Sequence, residues 1–260
     1  MKTVRTIAEL RSTLEGSVGL VPTMGALHAG HRALFAAARA ENELVVASLF
    51  VNPAQFDDAA DLGAYPRDEA ADAALAEAEG VDVLFAPAAD ELYPQGFGTW
   101  IDVEETGEEG SARPGHFRGV ATVCVKLFNI VRPERAYFGQ KDAQQAIVVR
   151  HVVRDLDLPV EIRVVPTVRD DDGLALSSRN VRLSADERAH ALGLPHALHA
   201  GAGAFARGGD PVATARASLN GLAPEYVEVL DLDGATILAA AVRVGATRLI
   251  DNVLLEGELP

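Results

Sequence analysis

The sequence predicts an α/β fold: an open, mostly parallel sheet domain followed by a smaller C-terminal α/β domain. Two observations predict it. Strand-length apolar runs alternate with helix-like stretches up to about residue 167, the pattern of a parallel sheet with right-handed crossovers. Beyond Val168 the order of elements changes, which sets expected domains of 1–167 and 168–260.

Taken in order, residues 6–14 read as a short amphipathic helix, 18–21 as the first strand and 32–39 as a helix. Residues 43–51 form a continuous apolar run, typical of a strand covered on both faces. Residues 57–66 read as a polar, acidic loop, 67–79 as a helix and 81–86 as a strand. A turn-rich stretch (87–98), a short strand (99–103) and a solvated acidic loop (104–109) follow. The apolar 120–131 segment predicts a buried helix with Cys124 in the core. Next come a strand at 135–138, a helix to about 156 and a strand at 160–165. Ser184 and Glu187 fit a capping box, Asp210-Pro211 starts a further helix, and strands close the chain at 226–232 and 248–255.

The first strand hands over to its helix through Pro22-Thr23-Met24-Gly25-Ala26-Leu27-His28-Ala29-Gly30-His31. This junction lies at the carboxyl ends of the strands, where open α/β sheets bind ligands. Free N–H groups and a partial positive charge at the helix start suit a phosphate. Gly25 and Gly30 let backbone approach a ligand closely. The glycine spacing mimics a P-loop, but His31-Arg32 replaces its Lys-Ser/Thr, which excludes a Walker-type ATPase. The histidine pair has no third ligand at metal spacing. A polar turn that caps a helix is the competing reading of the motif alone.

Four further segments carry polar groups. Asn52 and Gln55 either orient a hydroxyl or carboxylate or serve plain turn chemistry. Arg113-Pro114-Gly115-His116-Phe117-Arg118 is either an anion contact or an exposed basic loop in an acidic chain. Lys141, one of three lysines, stands with Asp142 where a strand ends in Gly139-Gln140 and a helix begins, a position suited to a triphosphate and its divalent cation. Ser177-Ser178-Arg179 can grip phosphate oxygens. His196 and His199 have no carboxylate placed to join them and read as structural, and Gly201-x-Gly203 lacks the strand of a dinucleotide fingerprint.

With 260 residues, 48% of them hydrophobic, the chain can bury a substantial core. A net charge of −15 excludes broad nucleic-acid binding, and no apolar run reaches the ~20 residues of a membrane span. A single cysteine and no visible signal peptide point to the cytoplasm.

The motifs Pro-Thr-Met-Gly-Ala-Leu-His-x-Gly-His, Phe-Val-Asn-Pro-x-Gln-Phe, Arg-Pro-Gly-His-Phe-Arg-Gly-Val, Phe-Gly-x-Lys-Asp-x-Gln-Gln and Ser-Ser-Arg-Asn occur in one order. In that order the chain resembles the pantothenate synthetase family, nucleotidyltransferases with a Rossmann-like domain and a small C-terminal domain, typically homodimers. The resemblance spans nearly the whole chain and is densest from 20 to 185. It implies that ATP and (R)-pantoate give a pantoyl adenylate, from which β-alanine displaces AMP. It also implies that ATP contacts Pro22, Met24 to His31, Gly139 to Asp142, Val168 through its backbone, and Leu176, Ser177, Ser178 and Arg179. In this reading His31 is the proton donor and His28 stabilises the transferring phosphate. Lys141 and Arg179 hold phosphates, Gln55 and Gln145 hold pantoate, Asn52 supports that pocket, and Mg2+ accompanies ATP. The chain departs from the family at Leu176, where methionine is usual, in the 57–62 loop, and in a shortened 104–112 segment. An adenylyltransferase acting on a phosphorylated acceptor leaves the Asn-Pro-Ala-Gln and Lys-Asp-x-Gln-Gln pieces unexplained. A tRNA synthetase is disfavoured by acidity and size, and a non-catalytic nucleotide binder by the intact His28, His31, Lys141 and Arg179.

Overall fold

The computed structural model describes residues 1–56, 59–104, 107–232 and 234–259. In chain order these form β1 (Lys2–Val4), α1 (Ile7–Arg11), β2 (Val18–Thr23), α2 (Ala29–Glu41) and β3 (Leu44–Leu49). Then come α3 (Ala59–Ala64), α4 (Glu69–Ala78), β4 (Val83–Phe85), α5 (Ala89–Leu92), α6 (Gly107–Ala112) and α7 (His116–Val131). They are followed by β5 (Arg135–Gly139), α8 (Ala143–Asp155), β6 (Glu161–Val165), α9 (Ala185–Ala191), α10 (Gly193–Phe205) and α11 (Pro211–Ser218). The last elements are β7 (Pro224–Leu232), β8 (Ala235–Val244) and β9 (Thr247–Glu256).

A six-stranded sheet runs in the order β1-β4-β3-β2-β5-β6 with every pairing parallel. The chain builds outward from β2 through β3 to β4, then crosses back to lay β5 and β6 on the other side. Strand order therefore reverses between β2 and β5, and the loops leaving these two strands flank the crevice where such sheets bind ligands. Alternate residues of the central strands face opposite layers, as a two-residue period requires. Leu20 and Val46 join one apolar cluster with Leu127 and Phe138, while Val21 and Val45 join another with Phe35 and Leu84. The second sheet, β7-β8-β9, is antiparallel. Its central strand packs Leu238, Ala240 and Val242 against Leu194 and Leu198 of α10 and Ala215 of α11.

Cys124 is a free, buried core thiol, as the sequence predicts, and the Ser184–Glu187 capping box and the Asp210 cap of α11 both form. Five local expectations are corrected. Residues 99–103 form no strand; Ile101 and Val103 pack on Phe117 and Val148, so their alternation reflects contact with α7 and α8, not a ladder. Residues 59–64 of the expected loop are the helix α3, and α7 begins four residues early, at His116. The acidic segment contains α6, whose Glu109 is 5% exposed and accepts two hydrogen bonds from Arg248, at 2.9 and 2.6 Å, and one from the Tyr226 hydroxyl. The alanine-rich β8 is a strand that the sequence does not mark, because alanine lacks the branched bulk that signals one. Of the two expected loops, residues 57, 58, 105 and 106 lie outside the described residues. Among the described residues no helix is long and apolar enough to cross a membrane.

Candidate active site

At the carboxyl end of β2 the chain turns through Gly25, with φ +85°, and Ala26, with φ +51°. The left-handed conformation costs a non-glycine residue about 1 kcal/mol, so something must hold this turn. Asp72, buried at the start of α4, does so: its two carboxylate oxygens accept from the Ala26 N–H at 3.0 Å and the Leu27 N–H at 2.7 Å. A Cβ on Gly25 would fall 2.7 Å from an Asp72 oxygen and 2.8 Å from Leu49, so glycine is required on both grounds.

His28 caps α2. Its Nδ1 accepts from the Gly30 N–H at 3.1 Å, while its own N–H donates to His31 Nδ1 at 3.2 Å. This is a capping box in which imidazole nitrogens do the work of Ser and Glu. Because both Nδ1 atoms accept from backbone, the ring protons are assigned to Nε2 in both residues. The rings lie 4.2 Å apart. Burial, followed by the Lys141 charge, lowers His28 to about 4; burial, followed by His28 itself, lowers His31 to about 3. At neutral pH the pair is a set of two uncharged Nε2–H donors.

Both rings line a cavity of about 230 Å³. Met24, Gly139, Lys141, Val168 and Leu176 to Arg179 line it as well, together with Asn52, Gln55 and Gln145. Gly25, Ala26, Leu27, Ala29 and Gln140 do not: the Ala26 and Leu27 amides are turned to Asp72, and the Gln140 side chain is turned to Asn252. Lys141 Nζ bonds Asp142 at 3.0 Å and, against the cost of burial, holds that carboxyl below its ordinary range. Arg179 Nη2 pairs with Asp61 of α3 at 3.1 Å, and Ser178 bonds the Tyr65 hydroxyl. A second cavity of about 620 Å³ lies against the small sheet, bordered by α3, α6 and the start of α7, and shares Lys141, Asp142, Gln145 and Arg179 with the first.

The Asn52–Gln55 turn is fixed from α7. Asn52 Nδ2 donates to Gln55 Oε1 at 3.0 Å and to the Gly119 carbonyl at 3.1 Å, and the Tyr93 hydroxyl donates to Asn52 Oδ1. A Cβ on Gly119 would sit 2.2 Å from the Ala54 carbonyl oxygen, so only glycine admits this approach. His116 Nδ1–H donates to the Gln55 carbonyl at 2.8 Å, and its Nε2 accepts from Arg113 at 3.1 Å. Burial and then Arg113 lower His116 to about 4, which matches a neutral ring in that role. The basic 113–118 motif thus braces Gln55 from behind. His199 bonds the Pro195 carbonyl of its own helix.

Asp72, His116, Asp251 and Asn252 are the polar residues that the sequence did not single out for these roles. Each acts on a segment at least 45 residues away in the chain; no local spacing marks Asp72, Asp251 or Asn252, and His116, marked as part of a basic motif, holds the Gln55 carbonyl.

A family model described as pantoate-beta-alanine ligase matches residues 1–254. The pantothenate synthetase of Roseiflexus sp. strain RS-1 is 52% identical over 277 aligned positions, covering 98% of this chain and 100% of that one. That of Moorella thermoacetica is 49% identical, over 98% of this chain and 99% of its own. The crystal structure of pantothenate synthetase from Thermus thermophilus superposes with a TM-score of 0.93 at 47% identity, covering 99% and 100% of the two chains. A pantoate-beta-alanine ligase from Francisella tularensis, solved with beta-gamma ATP and beta-alanine, superposes with a TM-score of 0.84 at 34% identity over 99% of both chains. With its crevice built at the reversal of a parallel sheet and lined by paired imidazoles, a lysine and an arginine, this chain belongs to the pantothenate synthetase family of ligases.

Proposed function

We propose that the protein joins (R)-pantoate to β-alanine at the expense of ATP through a pantoyl adenylate. The pantoate carboxylate attacks the α-phosphorus and pyrophosphate leaves; the β-alanine nitrogen then attacks the acyl carbon, AMP leaves, and the amine gives up a proton. The observation that carries this reading is the neutral His28–His31 pair, whose rings line one cavity together with Lys141, Arg179, Gln55 and Gln145. Displacement at phosphorus needs donors in place where charge grows on the oxygens, which two locked imidazoles, a lysine and an arginine supply. The amides suit the hydroxyls and carboxylate of pantoate. In this reading Met24, His28, Gly30 and His31 meet ATP directly, the backbone of Val168 meets adenine, and Gly25 to Leu27 act from behind.

Among the described residues no cluster of three or more His, Cys, Asp or Glu side chains is arranged to hold a metal. Asp142 is the one carboxylate among the described lining of the smaller cavity. Mg2+ therefore fits as the companion of the triphosphate, with Asp142 as its protein neighbour and charge neutralisation as its contribution. The reading also takes 1–167 as the ATP- and pantoate-binding domain and 168–260 as a smaller lid, supported by an apolar cluster confined to 174–253. A homodimer, the family's usual state, is checked by sedimentation.

The deciding measurement is pyrophosphate exchange into ATP with pantoate and Mg2+ and without β-alanine. Exchange that requires pantoate is expected. Folded protein that makes pantothenate without such exchange would exclude the adenylate route.

A further inference from the structure

Two adjacent buried residues on β9, an edge strand of the small sheet, bond the segments that follow β5 and β6 of the large one. Asn252 uses its whole amide there. Its Nδ2 donates to the Gln140 carbonyl at 2.7 Å and the Lys141 carbonyl at 3.1 Å, and its Oδ1 accepts from Gln140 Nε2 at 2.9 Å. Gln140 passes the tie on, since its Oε1 accepts from the Thr167 N–H at 3.3 Å. Asp251 grips the next stretch. Its carboxylate takes both terminal nitrogens of Arg169, at 2.6 and 3.0 Å, and the Asn252 N–H at 2.8 Å. Arg169 also bonds the Gly173 carbonyl at 3.1 Å and the Asn252 carbonyl at 3.2 Å. Both Asp251 and Asn252 are 2% exposed.

The turn from Gln140 to Asp142 is a single turn of 3-10 helix between β5 and α8. Little in its own sequence fixes the Lys141 backbone: Gly139 caps it without a side-chain bond. Capture of two consecutive carbonyls by one amide supplies that constraint from a residue 111 positions away. The same strand fixes Val168 through its neighbours Thr167 and Arg169. We infer that Asp251 and Asn252 are positioning residues for the nucleotide half of the reaction, setting the Lys141 backbone and the Thr167–Arg169 segment from the C-terminal sheet. This rests on the reading of Lys141 and Val168 as ATP contacts.

The test compares wild type, Lys141→Ala and Asn252→Asp in two assays normalised to folded protein: pantoate-dependent pyrophosphate exchange, and aminolysis of supplied pantoyl adenylate by β-alanine. Asn252→Asp keeps the shape but turns an oxygen toward two carbonyls. Loss of those hydrogen bonds predicts exchange down, or KM for ATP up, by about tenfold. Aminolysis should stay within about twofold of wild type, a split that general loosening of the fold does not give. Equal exchange and KM in wild type and Asn252→Asp, or an equal drop in both assays, overturns the inference. Wild type without exchange, or Lys141→Ala with full exchange, instead overturns the underlying reading. If Asn252→Asp does not fold, Arg169→Lys replaces it, because that change breaks the two-pronged grip on Asp251 from a side chain still 22% exposed. KM for ATP should then rise several-fold with KM for pantoate unchanged, and an unchanged KM for ATP overturns the inference.

Discussion

The loops after β2 and β5 stand side by side at the reversal of the sheet, yet they are wired differently. After β2, the two imidazoles are fixed within one helical turn, each Nδ1 bonded to a backbone N–H two or three residues away. After β5, the lysine-bearing turn is held by an amide from another sheet. The first arrangement, the imidazole cap, is uncharged and closes within its own turn. The second is cationic and depends on how the C-terminal sheet sits. The donors of the helix cap are set by their own turn, whereas the backbone that carries the lysine is set by a residue of the other sheet.

Removing the local device should cost most. His31→Ala deletes an Nε2–H donor and half of the capping box, and turnover should fall by ~10² to 10³ with ATP affinity changed only modestly. Single-turnover kinetics with an ATP-binding titration separate the two; a matching loss of affinity would make His31 a binding residue only. Gly119→Ala comes next. Its methyl would overlap the Ala54 carbonyl, so α7 must move away from the Asn52–Gln55 turn, costing about 2 kcal/mol in chemical denaturation and raising KM for pantoate. Unchanged stability would mean that this turn is looser than its hydrogen bonds imply.

The β2 junction is not wholly local, and Asp72→Asn measures by how much. An amide cannot accept from two N–H groups at once through both of its ends, so one of the two bonds to Ala26 and Leu27 is lost and the left-handed turn loosens. KM for ATP should rise about tenfold. An effect below twofold would show that the imidazole cap alone keeps the loop in place.

The same contrast explains what was legible beforehand. Strand and helix order and the helix caps at Ser184 and Asp210 follow from spacing along the chain, because their causes are local. Of the crevice residues, His28, His31, Asn52, Gln55, Lys141 and Ser177 to Arg179 stand at junctions or loops the spacing marks, whereas Gln145 and Val168 enter only through the family resemblance. The 104–109 segment misled for the opposite reason: Glu109 looks solvated by composition, but Arg248, 139 residues on, makes its burial tolerable. Residues 99–103 alternate as a strand does, yet the alternation fits helices on one side. Asp72, Asp251 and Asn252 carry no signature, since a hydrogen bond across tens of residues leaves no periodicity in the sequence. His116 stood in a marked motif, but its partner, the Gln55 carbonyl, did not show there. The smaller sheet was half legible: its branched strands β7 and β9 stood out, while the alanine strand between them did not.

The smallest predicted effect concerns protons, and it tests whether the imidazoles are neutral donors. His28, His31 and His116 have folded values near 4, 3 and 4, below the ordinary 6.5. Below pH 6.5 the unfolded chain binds protons that the folded chain refuses, so stability should be full above pH 6.5 and fall as pH drops toward 4. The slope should approach about 1 kcal/mol per pH unit for each histidine involved. Urea titrations at about pH 7.5, 6 and 5 measure it, and His116→Gln should flatten the slope by roughly a third, its share as one of three such groups. ATP should act in the opposite direction. A triphosphate beside two rings favours their charged forms, so its binding should raise both values and take up protons near about pH 5. Calorimetry in two buffers of different ionisation enthalpy counts those protons directly. Uptake would allow His31 to carry a proton to the phosphate oxygens once ATP is bound; no uptake would leave both rings as fixed neutral donors throughout the reaction, and Lys141 and Arg179 as its main positive charges.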